Sequence, residues 1–208
     1  MYLLRFLRNL ERDNYDITVM VRSFKQGELE QDYQSLGVSI IRQPLGYFHP
    51  GRMWHYYRLF CKEQYDVICD FNANFAGLPM WLGRLAGIKR RIAFYRQGKD
   101  HFRSSLPKNT FNKSMNRLVF RYATHIFSNS QAALDYFFTY RDNRNQRFKV
   151  IRNGVTVSDY QLPASKEQVR RQLGLPYDAF IIGHVGRLDP AKNHATILKV
   201  FQQVKQAL

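Results

Sequence analysis

The chain has 208 residues, of which 45% are hydrophobic, and it carries a formal net charge of +16. That apolar content can form a core, which excludes an intrinsically disordered chain. The charge indicates an anionic partner: nucleic acid, an acidic membrane surface or a phosphorylated small molecule. Cys61 and Cys69 are the only cysteines. Since neither has metal-ligand neighbours, we expect no disulfide framework and no metal site, and a cytoplasmic location.

Short apolar runs alternate with helical patterns along most of the chain. A helical pattern opens the sequence, with Leu3, Phe6, Leu7 and Leu10 at helical spacing. Strands are predicted at residues 16–21, 37–44, 65–71, 90–96, 124–130 and 147–155, and further helices at 52–64, 79–88, 113–123 and 131–140. A long basic loop is expected between the fourth of these strands and the helix at 113–123. The alternation is typical of an α/β protein with a mainly parallel sheet.

A fresh strand, loop and helix are predicted near the end of the chain, in FIIGHVGRLDPAKNHATILKVFQQV at residues 180–204. One strand and one helix cannot form a core. We therefore expect residues 1–155 to form a first domain that lacks its first strand, residues 156–178 to be a linker, and residues 179–208 to open a second α/β domain. The alternative is one unusual domain in which Phe180 to Val185 is another strand of the same sheet.

The order of motifs around this junction resembles that of glycosyltransferase family 4. The motifs are VIRNGV at residues 150–155 and VRRQLGLPYDAFIIGHVGRLDPAKNHATIL at 169–198. The resemblance implies the GT-B fold, in which two Rossmann-like domains face each other. It also implies retaining transfer of a hexose from a nucleoside-diphosphate sugar to a polysaccharide or lipid-linked acceptor, with no obligatory metal or other cofactor.

Two motifs of that family are not found in the sequence as read. One is the Gly-rich loop after the first strand, and the other is a Glu-x7-Glu motif deep in the second domain. We therefore expect a chain truncated at both ends relative to the family, and the activity of this piece is an open question.

The predicted donor site lies in the segment after Phe180. Departure of a nucleoside diphosphate builds negative charge, which fixed cations and N–H donors stabilise. Arg187 offers a planar fork for phosphate oxygens and Lys192 a compact charge, and Asp189 and Pro190 are expected to start the next helix. The resemblance assigns the diphosphate to the same arginine and lysine, which are the candidate catalytic residues. The full predicted donor set is Gly183, Gly186, Arg187, Lys192 and Asn193. The alternative is that both cations are ordinary surface charges.

The acceptor-side candidates follow two predicted strands. Arg96 stands near the position of a histidine in many relatives, where an arginine could bind an anionic group, and His101 lies further along the same loop. The alternative is that both are loop residues with no catalytic role. Asn72 and Asn74 follow the strand that ends near Phe71, so they are expected at the same carboxyl edge. Turn chemistry and helix capping are the alternative explanation for the two asparagines.

Positive charge is concentrated between Lys89 and Lys149, where fourteen lysines and arginines face three acids, a net charge of +11. Interleaved aromatic residues suit an anionic lipid interface or stacking on single-stranded nucleic acid. Because acceptors of similar enzymes are often lipid-linked, we favour the inner face of the cell membrane over nucleic acid. The alternatives are a solvated basic face, a basic α/β nucleic-acid-binding module, or a non-catalytic glycosyltransferase-like protein.

Overall fold

The computed structural model describes residues 2–11, 14–98, 105–142, 144–161 and 164–207. The chain forms two compact units, Met1–Gly154 and Val155–Leu208, which we call the first and the second unit. The assignment of residues 156–178 as a linker and of 179–208 as the start of a second domain stays a prediction.

The first unit alternates strands and helices as the sequence predicted, apart from a short helix at Glu30–Gln34 that it did not predict. Its elements in chain order are α1 (Tyr2–Arg8), β1 (Thr18–Val21), α2 (Glu30–Gln34), β2 (Ser39–Arg42), α3 (Pro50–Glu63), β3 (Val67–Asp70), α4 (Gly77–Leu85), β4 (Arg90–Tyr95), α5 (Leu106–Tyr122), β5 (His125–Ser128), α6 (Gln131–Phe137) and β6 (Phe148–Val150). Every strand pair is parallel. The strands form two sheets, β1-β2 and β3-β4-β5-β6.

The core of the first unit lies around the two middle strands of the larger sheet. Ala93, Tyr95 and Ile126 are completely buried, and helices α4, α5 and α6 contribute Met80, Val119 and Leu134 to the same cluster. The last three residues of β4, Ala93 to Tyr95, are all buried, so this part of the strand is a continuous apolar run without alternation. Tyr95 pairs with Ser128 in register, so neighbouring strands end at one common edge.

Helix α5 is longer than the sequence predicted. We expected a loop up to Lys113, but the helix begins at Leu106. Ser105 precedes it with extended backbone, and Pro107 occupies the first turn, where its missing N–H costs no hydrogen bond. Part of the basic stretch is therefore a regular helical surface.

Helix α5 runs antiparallel to the strands. Near its start, Asn112 accepts a hydrogen bond of 3.0 Å from Asn74, which follows the carboxyl end of β3. At its end, the carbonyl of Tyr122 accepts a bond of 2.7 Å from Nε of Arg91, at the beginning of β4. The helix thus spans the sheet from its carboxyl edge to its amino edge.

The second unit contains α7 (Lys166–Gln172) and α8 (His194–Ala207), with 3₁₀ turns at Val157–Tyr160 and Pro190–Lys192. The strand predicted at Phe180 to Val185 is not formed: residues 179–187 have no regular structure. Phe180 is 80% exposed and Val185 fully exposed. A strand needs a neighbour for its backbone hydrogen bonds, and the described part of the second unit contains no strand. The predicted helix after this segment is confirmed as α8.

Within the described ranges, no helix is both long enough and apolar enough to span a bilayer.

Candidate functional site

Three predicted acceptor-side residues lie at the carboxyl edge of the larger sheet. Asn72 and Asn74 follow β3, and Arg96 follows β4. Asn129, which follows β5, donates from Nδ2 to the carbonyl of Arg96 at 3.5 Å. The parallel register therefore collects these polar residues at the edge where open α/β sheets bind ligands. His101 lies outside the described residues.

Arg96 has an exposed side chain at this edge. Its guanidinium carbon lies 4.1 Å from the ring centroid of Tyr2, a cation–π arrangement that orients the side chain. The ring of Tyr2 in turn packs against Phe71 and Phe94, at 5.9 and 5.6 Å between centroids. Arg96 is thus a positioned cation, which fits the prediction of an anionic ligand without testing it.

The two asparagines are held by local contacts. The backbone N and Nδ2 of Asn72 both donate to Oδ1 of Asp70 at 2.9 Å. Asn74 is only 1% exposed, and its Oδ1 has no hydrogen-bond partner among the described residues. Between them Ala73 has a φ of +52°, which is unusual for a residue with a side chain. These contacts agree with turn chemistry, whereas the side chain of Asn72 makes no helix-capping hydrogen bond. An acceptor role for either residue stays a prediction.

A partly buried polar cluster that the sequence analysis missed lies beside these asparagines. Arg22, directly after β1, forms an ion pair with Asp70, the last residue of β3. Nη1 of Arg22 donates to Oη of Tyr47 at 2.9 Å, and that hydroxyl donates to the carbonyl of Phe75 at 2.7 Å. The cluster ties together the carboxyl ends of the two sheets. The sequence feature that could have indicated this cluster is an arginine and an aspartate, each at the end of an apolar strand.

Electrostatics keep this cluster in one protonation state at neutral pH. Tyr56 joins the cluster through a side-chain hydrogen bond with Arg22. Burial raises the pKa of Tyr56 to about 12, although Arg22 opposes the shift. Burial likewise raises the pKa of Tyr47. Burial, the largest single cause, lowers the pKa of Arg22, but Asp70, Tyr47 and Tyr56 together outweigh it and the pKa is raised. The arginine is therefore charged and both phenols are neutral, so the cluster is a fixed scaffold rather than a general base.

In the second unit, the predicted donor residues lie on one folded-back segment. Arg187 and Lys192 are both exposed. A Cβ on Gly186 would lie 2.9 Å from Nε2 of His184 and 3.7 Å from Cγ of Lys192, so a glycine allows this close approach. Gly183 has open space around its Cα, so the structure gives no packing reason for a glycine there.

The turn between the two cations differs from the expectation. Asp189 and Pro190 begin a 3₁₀ turn, closed by a 2.8 Å bond from the Lys192 amide to the Asp189 carbonyl, and α8 starts only at His194. Asn193 precedes that helix with a φ of +49°, and its Oδ1 accepts from Oγ1 of Thr196 at 3.0 Å. Because Asn193 can adopt the left-handed region, the chain can reverse before the helix.

One histidine fixes the start of this segment. Nε2 of His194 lies 2.8 Å from the carbonyl oxygen of Arg187, and its ring lies 5.0 Å from that of His184. The backbone at Arg187 is thereby held against the first turn of α8, while its side chain stays exposed.

Comparison with known proteins places the first unit, which carries this sheet edge, in a family. The family model described as Glycosyltransferase Family 4 matches residues 1–159. This chain belongs to glycosyltransferase family 4. The predicted family resemblance is therefore confirmed.

Two curated relatives are glycosyltransferases. The chain is 26% identical over 201 residues to the capsular polysaccharide biosynthesis glycosyltransferase CapH of Staphylococcus aureus, covering 92% of this chain and 50% of CapH. It is 27% identical over 147 residues to the putative glycosyltransferase EpsF of Bacillus subtilis (strain 168), covering 66% of this chain and 35% of EpsF. The chain thus spans half or less of the length of these relatives.

A solved structure has a similar fold. The crystal structure of Anabaena Alr3699/HepE in complex with UDP and glucose aligns with a TM-score of 0.68 at 21% identity, over 97% of this chain and 54% of that chain. The predicted α/β, GT-B-type Rossmann-like fold with parallel strands is confirmed.

Proposed function

We propose that this chain is part of a retaining glycosyltransferase that transfers a hexose from a nucleoside-diphosphate sugar to a polysaccharide precursor or other lipid-linked acceptor. The observation that carries the proposal is the family match over residues 1–159. Two further findings support it. CapH is named for capsular polysaccharide biosynthesis, and the structural neighbour was crystallised with UDP and glucose.

The proposed donor contacts are Arg187 and Lys192. Both are exposed cations on one short segment, so both are accessible to a diphosphate. Their proposed role is to stabilise the charge that builds on the leaving diphosphate. Gly186 and Asn193 shape the turn that holds the two cations, and the reaction as proposed needs no nucleophilic side chain.

The donor proposal is tested in the source organism, where the protein is made in its natural form. Arg187→Ala and Lys192→Ala are each expected to lower sugar incorporation into membrane-linked glycan about a hundredfold, since each removes a transition-state cation. Incorporation is measured from labelled nucleotide sugars, beginning with UDP-glucose. Arg171→Ala, which removes an exposed cation of α7, is the matched control. Near-normal incorporation in both donor-site variants, with normal protein levels, would exclude this assignment.

We also propose that the first unit docks on an anionic membrane surface through its basic stretch. Helix α5 carries Lys108, Lys113, Arg117 and Arg121 and no acidic residue. Beside its start, Phe48 is 88% and Leu106 85% exposed, and the ring of Phe48 packs on Phe111 at 5.6 Å. Cations beside exposed apolar side chains are suited to the headgroup region of a bilayer.

Docking is tested by vesicle sedimentation with the 208-residue chain. Vesicles that contain phosphatidylglycerol should bind the protein at low salt and release it as salt rises, whereas neutral vesicles should bind it poorly. Lys108→Glu with Lys113→Glu should weaken binding more than the control pair Lys25→Glu with Lys199→Glu. The nucleic-acid alternative is correct instead if oligonucleotides displace the protein from the vesicles and if Lys108→Glu with Lys113→Glu abolishes oligonucleotide binding.

A further inference from the structure

An arginine-lined groove lies at the end of α5, away from the candidate site. It is lined by Arg117, Phe120, Arg121, Tyr140 and Arg147. Arg147 directly precedes β6, so the groove is at the amino edge of the larger sheet. The candidate acceptor residues Asn72 and Arg96 are at the opposite, carboxyl edge. The groove is therefore a separate feature of the first unit.

Arg147 is a fixed cation on one side of the groove. Its Nη1 donates to the carbonyls of Phe120 at 3.0 Å and of Ala123 at 3.3 Å, at the C-terminal end of α5. Its guanidinium carbon lies 4.9 Å from the ring centroid of Phe120. A guanidinium held in this way loses little freedom when it binds an anion, so it is preorganised for one.

Arg117 and Arg121 stand one helical turn apart on the exposed face of the same helix. Like charges at this spacing repel, and neither arginine forms an ion pair with any residue that the structure describes. With Arg147, three guanidinium groups thus surround one groove. An anion would relieve their mutual repulsion.

The groove also has an aromatic floor. The rings of Phe120 and Tyr140 meet edge to face, with 5.2 Å between their centroids. Burial raises the pKa of Tyr140, and the charge of Arg117 acts in the opposite direction, as expected for two side chains that share the groove. The site therefore pairs anion-binding groups with an apolar surface.

We propose that this groove holds the phosphate group of an anionic lipid headgroup. The proposal rests on the docking of the first unit at an anionic membrane. Guanidinium forks match the two free oxygens of a phosphodiester, and the aromatic floor fits the glycerol carbons beside it. The groove is open rather than enclosed, so it cannot bury most of a small soluble ligand, as a metabolite site does. A headgroup anchored in a bilayer does not need such enclosure.

The most informative variant keeps the positive charges of the groove but removes two guanidinium groups, which can bind phosphate bidentately. The double substitution Arg117→Lys with Arg121→Lys should weaken binding to vesicles of equal phosphatidylcholine and phosphatidylglycerol several-fold, because lysine cannot bind phosphate bidentately. Arg58→Lys with Arg84→Lys, which changes two exposed arginines outside the groove, should leave binding unchanged. Arg117→Gln with Arg121→Gln should weaken it about thirtyfold, since each cation near such a surface contributes about 1 kcal/mol. Circular dichroism verifies that each variant is folded.

The outcomes separate this proposal from the one on which it rests. If the wild-type chain binds the acidic vesicles and the Arg117→Lys, Arg121→Lys variant binds them equally well, the groove is not a phosphate site and only this inference fails. If the wild-type chain does not bind them, docking and the groove both fail. Soluble glycerol phosphate should compete only weakly, and competition at the affinity of the vesicles would identify a free phosphate ligand and overturn the lipid source.

Discussion

At the scale of single residues, the ion pair between Arg22 and Asp70 determines how the candidate site is held. The two residues are 48 positions apart in the sequence. Their side chains are only 22% and 11% exposed, so the pair is shielded from solvent and depends on its geometry. Because it joins the end of β1 to the end of β3, it fixes the strand ends from which Asn72 and Asn74 follow.

Replacing Asp70 by Asn should therefore destabilise the fold. We expect the free energy of unfolding to fall by about 2 kcal/mol, since Arg22 keeps its charge without a counterion. The control is Asp32→Asn, which breaks the exposed pair between Arg8 and Asp32 and should change it by less than about 1 kcal/mol. Urea denaturation measures both, and equal losses would contradict the importance of the shielded pair.

The hydroxyl of Tyr56, in the same cluster, makes the stability of the folded chain depend on pH in the alkaline range. Its pKa is raised from 10.0 to about 12 in the folded chain. Between those values the folded state keeps a proton that the unfolded state releases, so stability falls as pH rises through that window. Tyr56→Phe should make that fall less steep, as measured by urea midpoints across the window. Tyr15→Phe, at an exposed position, should show the same dependence of stability on pH as the wild-type chain. If Tyr56→Phe shows it as well, the titration of Tyr56 is not its cause.

At the scale of elements, the contact between α4 and α5 depends on the absence of a side chain. A Cβ on Gly77, the first residue of α4, would lie 2.6 Å from the carbonyl oxygen of Met115 in α5. The carbonyl of Met115 is part of a helix backbone and cannot move aside as the end of a flexible side chain can. The two helices would therefore have to separate. Helix α5 also carries four cations of the basic stretch and part of the arginine-lined groove, so its position against α4 affects both.

Gly77→Ala should lower the free energy of unfolding by about 2 kcal/mol through overpacking. Gly83→Ala is the matched control in the same helix, because its Cβ would meet side-chain atoms and no backbone: Cδ1 of Ile68, also at 2.6 Å, and Cδ of Arg91 at 3.4 Å. In Gly83→Ala, the gain in helix propensity, about 1 kcal/mol, offsets the cost of moving the side chain of Ile68. Thermal unfolding compares the two, and a Gly83→Ala loss as large as that of Gly77→Ala would argue against the backbone contact.

The sequence predicted most elements because each has a local signal. Apolar runs such as those of β4 and β5 indicated strands, and helical spacing indicated α3 and α8. The start of α5 was missed because Pro107, Asn109 and Thr110 are poor helix formers. Tertiary packing of the helix, in which Asn112 and Val119 are buried, overrides this weak local preference. The prediction of a strand at Phe180 was wrong, because a strand forms only where its backbone hydrogen-bonds to a neighbouring strand. An apolar run by itself does not supply that neighbour. The ion pair of Arg22 with Asp70 could not be predicted, since it depends on how two sheets meet.

At the scale of the whole molecule, the net charge of +16 is itself a structural quantity. Charges of one sign repel across the surface of a folded chain and weaken the compact state. Salt shortens the range of that repulsion, from about 30 Å at 0.01 M to about 8 Å at 0.15 M.

We therefore expect the free energy of unfolding to rise as salt is increased over that range, as followed by urea denaturation at fixed pH. The variant with Lys25→Glu and Lys199→Glu has a lower net charge and should show a smaller rise. A fall in stability with salt for the wild-type chain would mean that attractive ion pairs, and not repulsion, dominate its surface.

If the first unit docks on a membrane through α5 as proposed above, the direction of this helix limits how an acceptor could reach the candidate site. The helix has 17 residues, so it is about 25 Å long, and it runs antiparallel to the strands. A bilayer that touches its exposed face lies along the strands, and the carboxyl edge then opens sideways, parallel to the lipid plane. The sheet stands above that plane by about one helix diameter, or 10 Å. A lipid-linked acceptor would have to raise its hydroxyl to that height, which favours a carrier whose sugar stands off the membrane on a polar spacer.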